Sequence, residues 1–268
     1  MPPQQLSEKT DQRSKRLHIV GCPRSGTTLL MELMHSCFEN EGCCEHEVSI
    51  FTPIPAGADL YFSKKPTDVL YLKELLNADP NLFAISLYRD PRSVVSSIHK
   101  SNQDMYFSNY VEWKHCQDAA EALVNHERFL LVQYETLTAS PNSIQNQIQA
   151  TFPFLVKKHE FTHYTDVAKP SEKSKNALNG VRPINTERHK EWQKHLPRIK
   201  SEIERHPELK SEVIRLGYET DDTWLDALNN ITSKKYPCRT TESYLTLKKM
   251  ETKLRKYFQI QRYIRRLK

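Results

Sequence analysis

A short apolar run followed by a loop bounded by two glycines is the feature that most constrains this chain. Residues 17–20 are typical of a buried strand, Gly21 to Gly26 form a tight loop, and Thr27 opens a helical pattern. In such a strand–loop–helix unit, the loop N–H groups and the positive end of the helix dipole face one point. The sequence therefore predicts an anion site here, with Ser25 and Thr28 as further hydroxyl donors.

The loop differs from that of nucleotide triphosphatases at the position after its second glycine. Those loops need a lysine there, followed by Ser or Thr, whereas this chain has Thr27, and its cation is Arg24 inside the loop. A guanidinium can bind a phosphate bidentately, so no magnesium is required to balance the charge. A P-loop kinase or other nucleotide triphosphatase is the first alternative function.

Strand and helix patterns alternate over the first 150 residues. Further strands are predicted at 60–63, 82–87 and 129–132, and helices at 67–76, 92–100, 111–126, from 140 onward, 190–196 and 198–205. Short loops between alternating strands and helices indicate an α/β fold with a parallel sheet and helices on both faces.

The charge is concentrated at the end of the chain. Residues 234–268 contain twelve lysines and arginines and two glutamates, although the net charge of the whole chain is only +6. A nucleic-acid-binding body is therefore disfavoured. We expect a disordered lead at 1–16, one domain at 17–225 and a basic amphipathic helical tail at 226–268. The tail is expected to dock on the core, with contact to an anionic membrane surface or recruitment of an acidic acceptor as alternatives.

Two features bear on the compartment. No run of 18 apolar residues exists, and the polar N-terminus lacks the apolar centre of a secretory signal. The six cysteines show neither a zinc-binding spacing nor a CxxC pair. These features predict a cytoplasmic protein with reduced thiols and no bound metal.

Two sequence blocks resemble motifs of the sulfotransferases that use 3′-phosphoadenosine 5′-phosphosulfate (PAPS). The segment from Pro23 to Leu29, PRSGTTL, is similar to the 5′-phosphosulfate loop of that family, and the segment 88–97, YRDPRSVVSS, is similar to its 3′-phosphate motif. In that motif an Arg ends a strand and a Ser follows eight residues later, which are Arg89 and Ser97 here. The resemblance, which spans roughly residues 17–218, implies a three-layer P-loop-like fold and sulfuryl transfer from PAPS, with PAP as product. The predicted donor-binding residues of the loop are Gly21, Pro23, Arg24, Ser25, Gly26, Thr27 and Thr28.

The resemblance also implies catalytic residues. Glu45 stands at the interval from Arg24 at which protein-tyrosine sulfotransferases and bacterial relatives carry their base, with His46 and Glu47 as alternatives. Lys64 matches a lysine of those relatives that precedes a proline. Together with Arg24 it would stabilise charge on the sulfuryl group and the leaving oxygen.

Two further residues are expected to bind the donor. Tyr134, in the block Tyr-Glu-x-Leu, resembles a tyrosine that packs against the adenine, and a core tyrosine is an equal alternative. Arg182 precedes a proline, as does a basic residue near the cofactor of protein-tyrosine sulfotransferases, and it is a candidate 3′-phosphate contact. Ser174 is a further candidate donor.

Motifs that serve the donor carry no information about the acceptor. We expect a hydroxyl or amine of a small molecule, and a peptide or a glycan is left open. The second alternative function is a non-catalytic protein that binds adenosine phosphates on the same scaffold.

Overall fold

The computed structural model describes residues 14–267, with the side chains of residues 242–254 left aside. The lead predicted at 1–16 falls outside the described residues except for its last three, and two of these belong to the first strand. The strands are β1 (Lys15–Gly21), β2 (Gly42–Cys43), β3 (Leu60–Lys64), β4 (Leu82–Tyr88), β5 (Ile98–His99), β6 (Asn102–Tyr106) and β7 (Phe129–Gln133).

Five of these strands form one parallel sheet in the order β2-β3-β1-β4-β7. The central strand β1 pairs Ile19 with Lys64 on one side and Gly21 with Leu87 on the other. Because the strands are parallel, the carboxyl ends of β1, β3 and β4 meet at one edge of the sheet. Ligands of open α/β sheets bind at this edge.

The helices complete the layers. The α-helices are α1 (Thr27–Cys37), α2 (Leu72–Ala78), α3 (Pro91–Val95), α4 (Tyr110–Glu121), α5 (Tyr134–Ala139), α6 (Pro141–Thr151), α7 (Tyr164–Val167), α8 (Glu172–Leu178), α9 (Leu196–Arg205), α10 (Leu209–Arg215) and α11 (Glu242–Leu267). The 3₁₀ helices are Pro66–Tyr71, Phe161–His163, Glu187–His195 and Asp222–Leu228.

The core consists of two hydrophobic clusters, one on each face of the sheet. Leu17 and Ile19 pack with buried residues of α1 and α6, whereas Val20 packs with buried residues of α2, α4 and α9. Successive strand residues point to opposite faces, so a strand buried on both faces must be apolar throughout. The predicted three-layer α/β fold is confirmed.

The one polar residue within the apolar run 17–20 has a structural explanation. His18 is completely buried, with Nδ1 2.8 Å from the Ser63 hydroxyl oxygen and Nε2 3.3 Å from Asp68 Oδ2. Asp68 also accepts a hydrogen bond from the Ile50 backbone N–H, at 2.7 Å. Burial lowers the pKa of His18, and Asp68 opposes that shift. This network ties β1 to β3 and to the 3₁₀ helix that follows Lys64.

The helix predicted at 92–100 is wrong in its second half. Helix α3 ends at Val95, and Ser97 lies after its C-cap, not two turns inside a helix. The Ser97 carbonyl accepts a hydrogen bond from the Phe107 N–H at 2.8 Å, and β5 and β6 then form an antiparallel hairpin. Val and Ser have low helix propensity, so this hairpin overrides the helical pattern. The predicted helices 67–76 and 190–196 are likewise partly 3₁₀.

The C-terminal region packs back on the domain. The segment before α11 runs along β6. The backbone N–H of Tyr106 donates to the Pro237 carbonyl, and the backbone carbonyl of Tyr106 accepts from the Arg239 N–H, both at 2.9 Å. The last turns of α11 bury Ile260, and the Tyr263 hydroxyl donates to Asp79. Among the described residues, no helix combines the length and apolar character that crossing a membrane requires.

Candidate active site

The loop after β1 has an unusual backbone that shapes it as a cradle. Gly21, Arg24 and Gly26 have positive φ angles of 145°, 76° and 98°. A Cβ at Gly21 would lie 2.4 Å from the Leu87 carbonyl oxygen. Left-handed backbone is unfavourable for a residue with a side chain, so the conformation of Arg24 is held by the surrounding structure.

Tyr134 sets the position of the loop's second glycine. A Cβ at Gly26 would lie 2.3 Å from Cδ2 and 2.6 Å from Cε2 of the Tyr134 ring. The Arg89 guanidinium packs over the face of the same ring, with its central carbon 4.3 Å from the ring centroid. Tyr134 is buried and lines the pocket, and its predicted contact with adenine stays a prediction.

Helix α1 presents its amino end to the same pocket. Its N-cap Gly26 supplies no side-chain hydrogen bond, and its first turn has no acidic residue. Thr27, Thr28 and Leu29 line the pocket. The free backbone N–H groups of a first helical turn attract anions.

Three arginines converge on this loop. Arg24 Nε donates to the Ser97 hydroxyl at 2.6 Å, and Arg89 donates to the backbone carbonyls of Arg24 at 3.2 Å and Arg188 at 3.4 Å. Burial lowers the pKa of Arg24, and the charges of Arg89 and Arg188 lower it further. Arg89 Nε is buried without a hydrogen-bond partner. Within the part of the chain that the structure describes, none of the three forms an ion pair, so the cluster attracts an anion.

Lys64 is buried beside the amino end of α1. Its Nζ lies 3.1 Å from Thr28 Oγ1 and 3.1 Å from Glu47 Oε1, and its side chain is 1% exposed. Burial lowers the pKa of Lys64, and the carboxylate of Glu47 opposes this shift. The ammonium group is thus placed between the predicted anion site and a carboxylate.

The structure separates the three candidates for the base. Glu47 and His46 line the pocket, and Glu47 pairs with Lys64. Glu45 does not line the pocket: its side chain is 63% exposed and binds Lys173 at 3.0 Å. The Glu45 carbonyl accepts hydrogen bonds from the hydroxyls of Ser171 at 2.7 Å and Ser174 at 3.3 Å. Glu45 therefore holds the start of α8 and is not brought to the site.

His46 differs from Glu47 in its surroundings. Its Nδ1 is 3.5 Å from the Ser174 hydroxyl, and its pKa is lowered by burial and then by the charge of Lys64. Ser174 is therefore a neighbour of the two residues Glu45 and His46, and it does not itself line the pocket.

The pocket has a volume of ≈ 260 Å³ and brings most of the predicted donor-binding residues together. Pro23 and Arg182 line it, and Arg182 is exposed. Gly21 and Ser25 belong to the loop but do not line the pocket, and the Ser25 hydroxyl is buried and unpartnered among the described residues. Ser97 takes part through Arg24.

One functional candidate had no signal in the sequence. Arg188 lines the pocket beside Arg24 and Arg89. It belongs to no motif, and Lys190 and Lys194 in the same 3₁₀ helix are also cationic, so the sequence does not single it out. No group of three or more His, Cys, Asp or Glu residues that could hold a metal is found among the described residues.

Comparison with known proteins gives the following matches. A family model described as the sulfotransferase family matches residues 44–152. None of the curated proteins is similar enough in sequence to match the chain.

Solved structures with some similarity include the sulfotransferase domain from the Synechococcus PCC 7002 olefin synthase, at 16% identity and a TM-score of 0.45, covering 69% of this chain and 90% of that one. Mouse sulfotransferase SULT7A1 complexed with PAP matches at 15% identity and a TM-score of 0.45, covering 81% and 88%. Retinol dehydratase in complex with androsterone and inactive cofactor PAP matches at 12% identity and a TM-score of 0.38, covering 84% of each chain.

The family model and the site point in the same direction. The matched segment contains Lys64, Tyr134 and the block from Arg89 to Ser97. The loop from Gly21 to Gly26 lies before that segment, and its geometry is therefore an independent observation. Over residues 44–152 the chain is thus similar to the sulfotransferase family.

Proposed function

We propose that this chain transfers a sulfuryl group from PAPS to a hydroxyl or amine of a small-molecule acceptor. The observation that carries the proposal is the cluster of Arg24, Arg89 and Arg188 at the amino end of α1, which forms no ion pair among the described residues, although Arg89 lies within electrostatic reach of the partly buried Glu135. The uncapped first turn of α1 and the orphaned Arg89 Nε fit a ligand with two separate anionic groups. When bound, PAPS supplies the sulfuryl group, and PAP is the leaving group.

The two anionic ends of the donor have separate partners in this proposal. The loop amides, Thr27, Thr28 and Arg24 bind the 5′-phosphosulfate. Arg89 and Arg188 bind the 3′-phosphate, and Arg182, which also lines the pocket, is a further candidate. Ser97 accepts the hydrogen bond of Arg24 Nε, and it thereby couples the two halves of the site.

Glu47, and not Glu45, is the proposed base. Glu47 lies in the pocket, whereas Glu45 faces Lys173. Glu47 accepts the proton of the acceptor hydroxyl or amine as the new bond to sulfur forms, and the bond from sulfur to the 5′-phosphate oxygen breaks. Lys64 Nζ, between Thr28 and Glu47, stabilises the charge that develops on the transferred group and on the leaving oxygen.

A small acceptor fits the remaining wall of the pocket. Ala177, Leu178, Pro183 and Ile184 supply apolar surface there, and the hydroxyl of Tyr164 is buried without a partner in the same pocket. Pockets for small molecules combine apolar walls with a few polar groups that fix orientation. An apolar molecule with one reactive hydroxyl or amine is the acceptor that this wall suits.

Ligand-induced stabilisation tests the donor. We expect PAP without metal to raise the melting temperature of the protein, because ligand that binds only the folded state stabilises it. ATP with Mg²⁺ should have a much smaller effect. Stabilisation by ATP with Mg²⁺ alone would instead favour the nucleotide triphosphatase alternative. Labelled PAPS, tested against phenols, alcohols, amines, sugars and peptides, then identifies the acceptor class and separates an enzyme from a non-catalytic binding protein.

The same substitution at two positions tests the base. Glu47→Gln should lower turnover by about 10²–10⁴, the usual contribution of a general base. Glu45→Gln is the matched control, and we expect turnover within a few-fold of the parent because its side chain is exposed and directed at Lys173. A large loss in Glu45→Gln with a small loss in Glu47→Gln would return the role to Glu45.

A further inference from the structure

The end of helix α11 exposes two aromatic side chains to solvent. Tyr257 is 59% exposed and Phe258 is 63% exposed, and their ring centroids are 5.9 Å apart. They are the most exposed of the large hydrophobic residues whose side chains the structure describes. Contiguous exposed apolar surface marks sites that contact another molecule, so this end of α11 is a candidate for such a contact.

The same part of the helix carries unbalanced positive charge. Residues 255–267 contain five lysines and arginines and no acidic residue. Lys256 and Arg266 reach back to the domain, where they bind the carbonyls of Leu70 and Phe51. The other three cations are Arg255, Arg262 and Arg265. They are exposed, and none forms an ion pair with another described residue.

Helical geometry places these groups on one face. Ile260 is 7% exposed, and Ile264 packs against the same core cluster, so this side of α11 faces the domain. The residues 255, 258, 262 and 265 follow the spacing i, i+3, i+7, i+10, which defines a stripe along a helix. The stripe lies on the solvent side. It therefore combines three guanidinium groups that form no ion pair with another described residue and the Phe258 ring, whereas Tyr257 lies on a neighbouring face, seven residues before Ile264.

We propose that this stripe, formed by Arg255, Phe258, Arg262 and Arg265, docks on the surface of an anionic lipid bilayer. Helices that lie in a membrane interface have a cationic polar face and large aromatic or aliphatic side chains that enter the headgroup region. Arginines keep their charge among the lipid headgroups while their aliphatic stems cover apolar surface. Aromatic rings enter the bilayer at the depth of the headgroups. The charge of the stripe is complementary to anionic lipids, and the exposed Phe258 ring within it favours a bilayer over a purely acidic partner.

The position of α11 is compatible with an enzyme that works at such a surface. Tyr263 binds Asp79, which lies in the turn between α2 and β4, so the docked end of α11 lies at the amino edge of the sheet. The pocket lies at the carboxyl edge. Contact through the stripe therefore uses no residue of the pocket, and the proposal is independent of the proposed function.

Sedimentation with vesicles tests the proposal on the full chain. We expect binding to vesicles of phosphatidylcholine with phosphatidylserine, weakening as salt rises, and little binding to phosphatidylcholine alone. Replacing the three arginines of the stripe by Gln should weaken binding by on the order of a hundredfold, at roughly fivefold for each cation near an anionic surface. The matched control replaces three exposed lysines elsewhere, Lys100, Lys158 and Lys235, by Gln, and it should change binding by less than tenfold.

The aromatic residues are tested separately. Tyr257→Ser with Phe258→Ser should also abolish most binding, whereas Val124→Ser with Val156→Ser, two valines that are each 51% exposed, should not. In Phe258→Trp the tryptophan emission should shift to shorter wavelength on anionic vesicles, and in Val124→Trp it should not. Equal losses in the lysine control, or binding that ignores both aromatic substitutions, would overturn the proposal and indicate diffuse electrostatics or an acidic macromolecule instead.

Discussion

The contact between Gly26 and Tyr134 allows a quantitative prediction about the anion-binding loop. Gly26→Ala places a Cβ 2.3 Å and 2.6 Å from two carbons of the Tyr134 ring, at a backbone φ of 98°. The left-handed backbone costs a residue with a side chain about 1–2 kcal/mol. Overpacking against a buried ring adds about 1–3 kcal/mol. We therefore expect the free energy of unfolding to fall by about 2–5 kcal/mol.

Gly217→Ala is the matched control for the backbone contribution. Gly217 has a φ of 76°, and no atom lies within 4 Å of its added Cβ. Only the backbone cost of about 1–2 kcal/mol is expected. The difference between the two variants, measured by urea unfolding, isolates the contact with Tyr134. Adding Tyr134→Leu to Gly26→Ala should recover part of that difference, because the two sites are coupled.

Two results would refute this reasoning. Equal destabilisation by Gly26→Ala and Gly217→Ala would mean that the ring does not press on the loop. The absence of any positive coupling between Gly26→Ala and Tyr134→Leu would have the same meaning. Binding of PAP supplies an independent readout, since displacement of the loop should weaken PAP binding in Gly26→Ala and leave it unchanged in Gly217→Ala.

Three further predictions concern single ionisable side chains. Asp90→Ala should destabilise the protein by about 3 kcal/mol in urea unfolding, because it leaves Arg92 buried with Glu219 as its remaining carboxylate; Glu219→Ala, at a half-exposed partner, should cost clearly less. Because burial lowers the pKa of His18, the imidazole takes up its proton at a higher pH in the unfolded chain than in the folded one. The free energy of unfolding should therefore fall as the pH drops below about 6.5. His18→Gln should reduce the slope of that free energy against pH by up to about 1.4 kcal/mol per pH unit, and an unchanged slope would show that His18 does not contribute to it. Arg188→Met should weaken PAP binding roughly 10–100-fold, the range for a lost charged hydrogen bond, while Lys190→Met should not, and equal effects in titration calorimetry would remove Arg188 from the site.

The layers of the fold were predictable because the determining patterns are local. The apolar runs at 17–20, 60–63, 82–87 and 129–132 all lie in strands of the parallel sheet. A short, continuous apolar run bounded by turn residues is enough to predict a strand that is buried on both faces. The pattern failed at residues 96–100, where the chain leaves α3 for a hairpin. That hairpin depends on Phe107 and on the C-terminal segment along β6, and neither is visible in a window of local sequence.

The candidate site was predictable to the extent that it follows the sheet. Lys64 ends β3, Arg89 follows β4, and Arg24 lies in the loop after β1, so strand order alone brings them to one edge. Arg188 was not predictable, because it reaches the cluster from a 3₁₀ helix that packs against α3. The role of Tyr134 in shaping the loop was also hidden. The motif names the tyrosine, but only the three-dimensional structure shows that its ring excludes a side chain at residue 26.

The choice between Glu45 and Glu47 shows where reasoning from motif spacing ends. Both residues lie on an irregular loop, two positions apart, and an interval counted from Arg24 cannot determine which side chain faces the pocket. That direction is set by α8, since Ser171 and Ser174 bind the Glu45 carbonyl and Lys173 binds its carboxylate. With Glu45 held from outside, Lys64 is left to pair with Glu47 within the pocket. The choice of Glu47 as the proposed base therefore depends on contacts with a segment more than 120 residues away in sequence. We expect a relative that lacks these three contacts to present the other glutamate with the same motif spacing.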